Sequence, residues 1–114
     1  MIDTAEVVAQ VLSRVRDKQD IEYILRWQER QPETVTLLSA KEVGEMLGMS
    51  LRMTHALLED IRATGVEIGL LIIPKSIGST YQYSDDDIDT IQDYLFVKSS
   101  KRDAMNLRKR TEMP

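Results

Sequence analysis

Residues 38–83, LSAKEVGEMLGMSLRMTHALLEDIRATGVEIGLLIIPKSIGSTYQY, decide the fold of this chain. Ser39 and Glu42 have the spacing of a capping box, in which each side chain satisfies a free backbone N–H at the start of a helix. Gly48 supplies the positive φ that ends this helix, and Ser50 caps the next helix after a very short turn. The segment therefore predicts two short helices joined by a tight turn.

The spacing of apolar residues predicts which side of each helix is buried. The second helix is expected to run from Leu51 to about Thr64, with Gly65 as its stop. Gly44 lies on the first helix at a position that must stay small, because it touches the second helix. The predicted buried stripes are Val43, Met46 and Leu47 on the first helix, and Leu57, Leu58 and Ile61 on the second.

A β-ribbon is predicted after the second helix. Residues 66–73 are a nearly continuous aliphatic run, and TYQY at 80–83 is a second short strand. The intervening PKSIGS reads as a hairpin tip. Ser84 then caps a further helix, in which Asp85–Asp87 favour the helix dipole rather than form a metal site. The predicted fold is mainly α with a small β-hairpin: a winged helix-turn-helix preceded by N-terminal helices.

The N-terminal third carries a separate apolar stripe at alternating steps of three and four residues, as in a helix that packs along a seam. This seam is expected either to form a homodimer or to fold back on its own domain. A second stripe follows, beside which Trp27 is expected to enter the core. The predicted organisation is residues 1–33 as a helical dimerisation or packing segment, 34–97 as the winged helix-turn-helix domain and 98–114 as a basic tail or linker. The two stripes are Ile2, Ala5, Val8, Leu12 and Val15, then Ile21, Ile24, Leu25 and Gln28.

Composition bounds the function. The 114 residues carry a net charge of −4, but residues 98–114 contain six basic and two acidic side chains. No cysteine is present, so no disulfide framework or thiolate zinc site is expected. A single His makes a catalytic triad improbable, and no secretory signal or run of ~20 apolar residues appears. The sequence predicts no enzyme active site and no membrane segment.

Several exposed positions are suited to duplex DNA. Residues at the start of a recognition helix reach base edges, so Arg52 is expected to contact guanine in a bidentate way, Ser50 a phosphate or base, and His55 a phosphate or base. Lys75 and Ser79 on the hairpin tip suit a phosphate. The alternative is a protein-interaction module, because short helical hairpins are common and the acidic surface repels DNA.

The layout resembles the N-terminal DNA-binding region of the ParA-type (SopA-like) plasmid and phage partition ATPases. The matching segments are LSAKEVGEMLGMS, THALLEDIRATGVEI and PKSIGSTYQYSDDDIDTIQDY. The resemblance implies binding to the operator upstream of the partition genes, repression of that operon and dimerisation through the N-terminal helix. It implies reading contacts from Ser50, Arg52, Met53 and His55 and wing contacts from Lys75 and Ser79.

The resemblance further implies a ParB-type partner and a cytoplasmic, nucleoid-associated protein. The phosphate loop of those ATPases is missing from this chain, so ATP hydrolysis by that mechanism is not expected. No cofactor is expected in the chain, and ATP or ADP with Mg²⁺ would bind only if an ATPase domain followed residue 114. A stand-alone regulator of the MerR or excisionase type is the remaining alternative.

Overall fold

A computed structural model of the protein describes the backbone of residues 1–73 and 80–112, and the side chains of residues 1–73 and 80–99. The described part is mainly helical with a small antiparallel β-hairpin, as predicted. In chain order the elements are β1 (Ile2–Asp3), α1 (Thr4–Leu12), α2 (Lys18–Glu29), β2 (Thr34–Val35), α3 (Ala40–Leu47), α4 (Leu51–Ala63), β3 (Leu70–Ile73), β4 (Thr80–Gln82) and α5 (Asp85–Glu112).

Local capping fixes the helix-turn-helix. The Ser39 and Glu42 side chains each accept from the other residue's backbone N–H, which confirms the capping box at the start of α3. Gly48 ends α3 with φ 67°, a left-handed conformation that glycine adopts at little cost. The Ser50 hydroxyl accepts from the Met53 N–H at 3.2 Å and caps α4. The two helices therefore begin and end where the sequence indicates.

The crossing of α3 and α4 depends on Gly44. A Cβ atom at this buried position would overlap the Thr54 hydroxyl and lie 3.1 Å from the Met49 carbonyl oxygen. Thr54 is itself fully buried, and its hydroxyl donates to the Ser50 carbonyl at 2.8 Å. The predicted need for a small residue at 44 is thus confirmed, and Thr54 is the group that imposes it.

Replacing Gly44 with alanine is expected to destabilise the protein by about 1–3 kcal/mol through overpacking, although alanine favours a helix by about 1 kcal/mol over glycine. Urea denaturation measures the change. The control is the same substitution in a Thr54→Ala background, where most of the overlap is gone and the cost should fall. An equal cost in both backgrounds would show that Thr54 is not the obstacle.

The hairpin is shorter than expected at its first strand. We predicted a strand over 66–73, but β3 begins at Leu70 because Gly69 has φ +83°, which a strand does not contain. A Cβ atom at Gly69 would lie 2.9 Å from Cε1 of Tyr83, so this glycine also lets the chain pass close to the tyrosine ring. Strands β3 and β4 pair antiparallel, with Leu71 opposite Tyr81.

The chain preceding α3 adds a third segment to the hairpin. The backbones of Leu38 and Tyr83 exchange two hydrogen bonds of 2.8 Å, just past the end of β4. A separate two-stranded sheet pairs β1 with β2, with Ile2 opposite Val35. Both the start of the helix-turn-helix and the N-terminus of the chain are therefore held by backbone pairing.

Two apolar clusters form the core. The first joins α1 and α2 to the hairpin, and the second joins α3, α4, the end of the hairpin and α5. Tyr81 packs against both clusters from β4. The buried members are Val8, Val11, Val15, Ile24, Trp27, Val35, Leu70 and Leu71 in the first cluster, and Val43, Leu57, Leu58, Ile61, Ile68, Tyr83, Ile88 and Ile91 in the second.

The N-terminal helices pack against the rest of the chain. Val8, Val11 and Val15 are buried in the first cluster, while Ile2 is 45% exposed and α1 ends at Leu12. Of the two roles considered for this stripe, packing on its own domain is the one that this arrangement uses. The stripe also differs in detail, because Val11 is buried and Ala5 is exposed.

Trp27 joins the two clusters through one polar contact. Its ring is fully buried, and its indole N–H donates to the Asp87 carboxylate at 3.1 Å. The same carboxylate oxygen accepts from the Ser84 N–H at 3.0 Å and the Ser84 hydroxyl at 3.1 Å. Asp87 therefore completes the predicted cap of α5 and ties α2 to it.

The buried sides of α3 and α2 and the length of α5 differ from the prediction. Met46 is 59% exposed rather than buried, because the side of α3 that packs is turned toward Val43 and Gly44. Leu25 is 42% exposed, because α2 buries the side that carries Ile24 and Trp27. Helix α5 is continuous through the boundary we expected after residue 97. None of the described helices combines the length and apolar character needed to cross a bilayer.

Candidate nucleic-acid interface

The start of α4 is open to solvent on its outer side. Ser50, Arg52, Met53 and His55 are all exposed, with Met53 at 57%. The opposite side of the helix is buried through Thr54, Leu57, Leu58 and Ile61. The structure thus brings four of the six predicted contact residues together on the first two turns of one helix. The other two, Lys75 and Ser79, lie outside the described residues.

The four residues differ in which of their side-chain groups remain available to bind a ligand. The Ser50 hydroxyl already accepts the Met53 N–H, so its own O–H remains the group that can donate to a phosphate. A guanidinium such as that of Arg52 can donate two parallel hydrogen bonds to guanine. Leu51, which the sequence analysis did not single out, is 47% exposed in the same turn and can contact a thymine methyl group. Leu51 lies three residues before Thr54, which is buried. This helical spacing predicts burial of Leu51, so no sequence signal identifies it as a contact residue.

The first turn of α4 carries no acidic residue, unlike every other helix in the described structure. The first turns of α1, α2 and α3 contain Glu6, Asp20 and Glu42, and that of α5 contains Asp85–Asp87. A carboxylate at this position normally stabilises a helix by neutralising the positive end of its dipole. In α4 that positive end is left available to an external anion.

Charge changes sign along the exposed side of α4. Arg52 and His55 lie on the first two turns, and Glu59 and Asp60 follow on the next. The Asp60 carboxylate lies 3.7 Å from the Lys98 ammonium group of α5, and both side chains are largely exposed. Such a surface pair contributes little to stability, but it offsets the negative charge beside the helix. The basic end of α4 is therefore the end that would meet a phosphate backbone.

Two grooves flank α4, one on each side. One lies between α4 and β4 and is lined by His55, Glu59 and Gln82 among others. The other lies between α4 and α5 and is lined by Met53 and Lys98 among others. Lys98 is a flanking cation that the sequence analysis assigned to a tail, because the continuity of α5 is not visible in the sequence. His55 thus faces the hairpin, and Met53 faces α5.

Arg62 attaches the hairpin to α4. Its guanidinium carbon lies 3.7 Å from the centre of the Tyr81 ring, a cation–π contact. It also donates to the Tyr83 hydroxyl and, at 3.4 Å, to the Ile68 carbonyl. Burial raises the pKa of Tyr83, so its hydroxyl stays protonated at neutral pH. These contacts fix the hairpin strands relative to the exposed end of the helix.

Within the part of the chain that the structure describes, no cluster of three or more His, Asp or Glu residues is arranged to hold a metal ion. Comparison of the sequence with protein-family models, and of the chain with curated proteins and with solved structures, finds no match.

Proposed function

We propose that this protein binds duplex DNA by inserting the start of α4 into the major groove. The observation that carries the proposal is the exposed first turn of α4, which lacks an acidic residue and presents Ser50, Arg52, Met53 and His55. The groove of B-DNA admits one helix whose first residues touch base edges. The hairpin, held by Arg62, would then lie along the neighbouring phosphates.

We infer further that binding is sequence-specific and represses transcription at an operator. The resemblance to the DNA-binding region of partition ATPases supports this role, in which the protein represses its own operon. Such a protein acts in the cytoplasm, associated with the nucleoid. The overall charge of −4 predicts that the protein binds non-specific DNA only weakly, because non-specific binding comes almost entirely from contacts between basic side chains and phosphates.

The charge also favours one other function, a protein-interaction module built on the same fold. Residues 1–97 contain 17 acidic and 9 basic side chains, and this surface would repel a duplex away from α4. The exposed apolar residues Leu51 and Met53 would suit a protein partner. The two functions differ in whether duplex DNA binds at all.

Replacing Arg52 with alanine is expected to weaken binding to the DNA upstream of the gene by roughly 10- to 100-fold, as for loss of one bidentate base contact. Fluorescence anisotropy with labelled duplex, at several salt concentrations, measures the affinity. Arg14→Ala is the matched control, because it removes the same charge from another exposed arginine, in the loop after α1. Equal losses in both variants would point to net charge rather than a specific contact. Absence of binding by the unmodified protein at low salt would favour the protein-interaction module.

A further inference from the structure

The apolar side of α1 is buried within its own chain, so another surface is the candidate for self-association. Val8, Val11 and Val15 are buried in the first cluster. On α5, in contrast, Phe96 is 73% exposed and its neighbour Val97 is 51% exposed. Isolated exposed apolar residues are common, but two adjacent ones of this size on a helix form a small apolar patch.

The patch lies on the outer side of α5. The helix packs on the second cluster through Ile88 and Ile91, which are buried. Each residue of an α-helix is rotated by about 100° around the helix axis. Around that axis, Phe96 therefore lies roughly 140° from Ile91 in one direction, and Val97 lies roughly 120° from it in the other. Both residues therefore point away from the core, and the same side of the helix is free to meet another helix.

The long C-terminal helix extends beyond the packed core. Twenty-eight residues of α helix span about 42 Å. The radius of gyration is 17.0 Å, against about 13 Å for a compact chain of this length. The side chains from Phe96 to Ser99 are all exposed, so the rest of the described chain does not enclose this part of the helix.

The two halves of α5 carry opposite charge. Residues 85–97 contain five aspartates and no basic residue, whereas residues 98–112 contain six basic and two acidic residues. Phe96 and Val97 lie at the border between the halves, close to the middle of the helix. Two copies of α5 in parallel would bring like charges together. Two copies in antiparallel orientation would place each acidic half beside a basic half.

We propose that two copies of this protein associate through α5 in an antiparallel pair centred on Phe96 and Val97. The contact is isologous, so each residue is used twice. Opposite charges on the two halves select the antiparallel orientation and suppress the parallel one. If α4 binds DNA as proposed above, the pair would also place two α4 helices in one assembly, as paired half-sites require.

The first test is the mass in solution by light scattering after size exclusion. The unmodified protein is expected at twice the 13.1 kDa of one chain, and the double variant Phe96→Asp, Val97→Asp at the mass of one chain. Leu25→Asp is the control, because Leu25 is an exposed apolar residue on α2 and should leave the dimer intact. A monomeric unmodified protein, or a double variant that stays dimeric, would overturn the proposal.

A charge exchange tests the orientation without touching the apolar patch. Asp89→Lys with Asp93→Lys changes the net charge of the first half of α5 from −5 to −1, and Lys101→Glu with Arg102→Glu changes that of the second half from +4 to 0. Each double variant alone is expected to be largely monomeric. The four substitutions combined in one chain should recover the dimer mass, because the exchanged positions again face opposite charges in an antiparallel pair, whereas a parallel pair would still bring like charges together. A combined variant that remains monomeric would contradict the antiparallel pair. Neither result depends on DNA, so a failure here leaves binding by a single α4 helix intact.

Discussion

Replacing Trp27 with alanine is expected to lower the free energy of unfolding by about 3–5 kcal/mol, the cost of deleting a large buried side chain and leaving a cavity. Trp27 is fully buried between the N-terminal helices and the hairpin. The substitution also removes the indole N–H that donates to Asp87 at 3.1 Å. The loss therefore combines apolar burial with a hydrogen bond to a buried carboxylate, and urea denaturation followed by circular dichroism measures it.

Two variants separate these contributions. Trp27→Phe retains much of the apolar volume but lacks the donor, so most of its cost, about 1–3 kcal/mol, should come from the hydrogen bond. Leu25→Ala on the exposed side of the same helix should change stability by less than about 0.5 kcal/mol. If Trp27→Ala were as mild as Leu25→Ala, the N-terminal helices would not share a core with the rest of the chain.

The hydrogen bond between Trp27 and Asp87 also bears on whether the chain unfolds cooperatively. Trp27 is the single tryptophan, so its fluorescence reports on the N-terminal helices, while circular dichroism reports mostly on the helices that follow. A shared core predicts that the two signals change at the same urea concentration, as in two-state unfolding. The contacts of Trp27 with Asp87 and of Val35 with the first cluster lead us to expect one transition across residues 1–97.

The local parts of the fold were predictable because a few neighbouring residues determine them. The Ser39–Glu42 capping box, the turn at Gly48 and the caps of α4 and α5 each depend on side chains within three or four positions. The buried side of α4 follows from helical periodicity, since Leu57, Leu58 and Ile61 meet one continuous core. In these cases the residues that determine the structure lie close together in the sequence.

The remaining features depend on partners far away in the chain. Nothing near Trp27 indicates that it will donate to Asp87, sixty positions later. The pairing of β1 with β2 and the late start of β3 at Leu70 likewise depend on how distant segments meet. Met46 was wrongly expected in the core because periodicity gives the spacing of a stripe but not which side faces α4. Of the candidate site, the four exposed residues of α4 were predictable from its cap and its apolar side, while Lys98 and Leu51 were not.

Replacing Met53 with glutamate is expected to stabilise the protein while weakening DNA binding by roughly 100-fold or more, since a like charge set against a phosphate costs several kcal/mol. Met53 is 57% exposed and lies three residues after Ser50, the spacing of a capping box. A carboxylate there would neutralise the helix dipole and add about 0.3–1 kcal/mol of stability. Thermal denaturation measures the first effect and anisotropy with labelled duplex measures the second.

Leu25→Glu is the matched control for charge, because it adds the same single negative charge at another exposed apolar residue, on α2. Its affinity for DNA should change little, since it adds charge away from the helix proposed to enter the groove. Opposite changes in stability and affinity at Met53 cannot be explained by partial unfolding, which would lower both. Unchanged affinity in the Met53 variant would mean that the first turn of α4 does not face the duplex. The absence of an acidic residue at this one helix start would then need a cause other than DNA, and a protein partner at the same surface would become the better explanation.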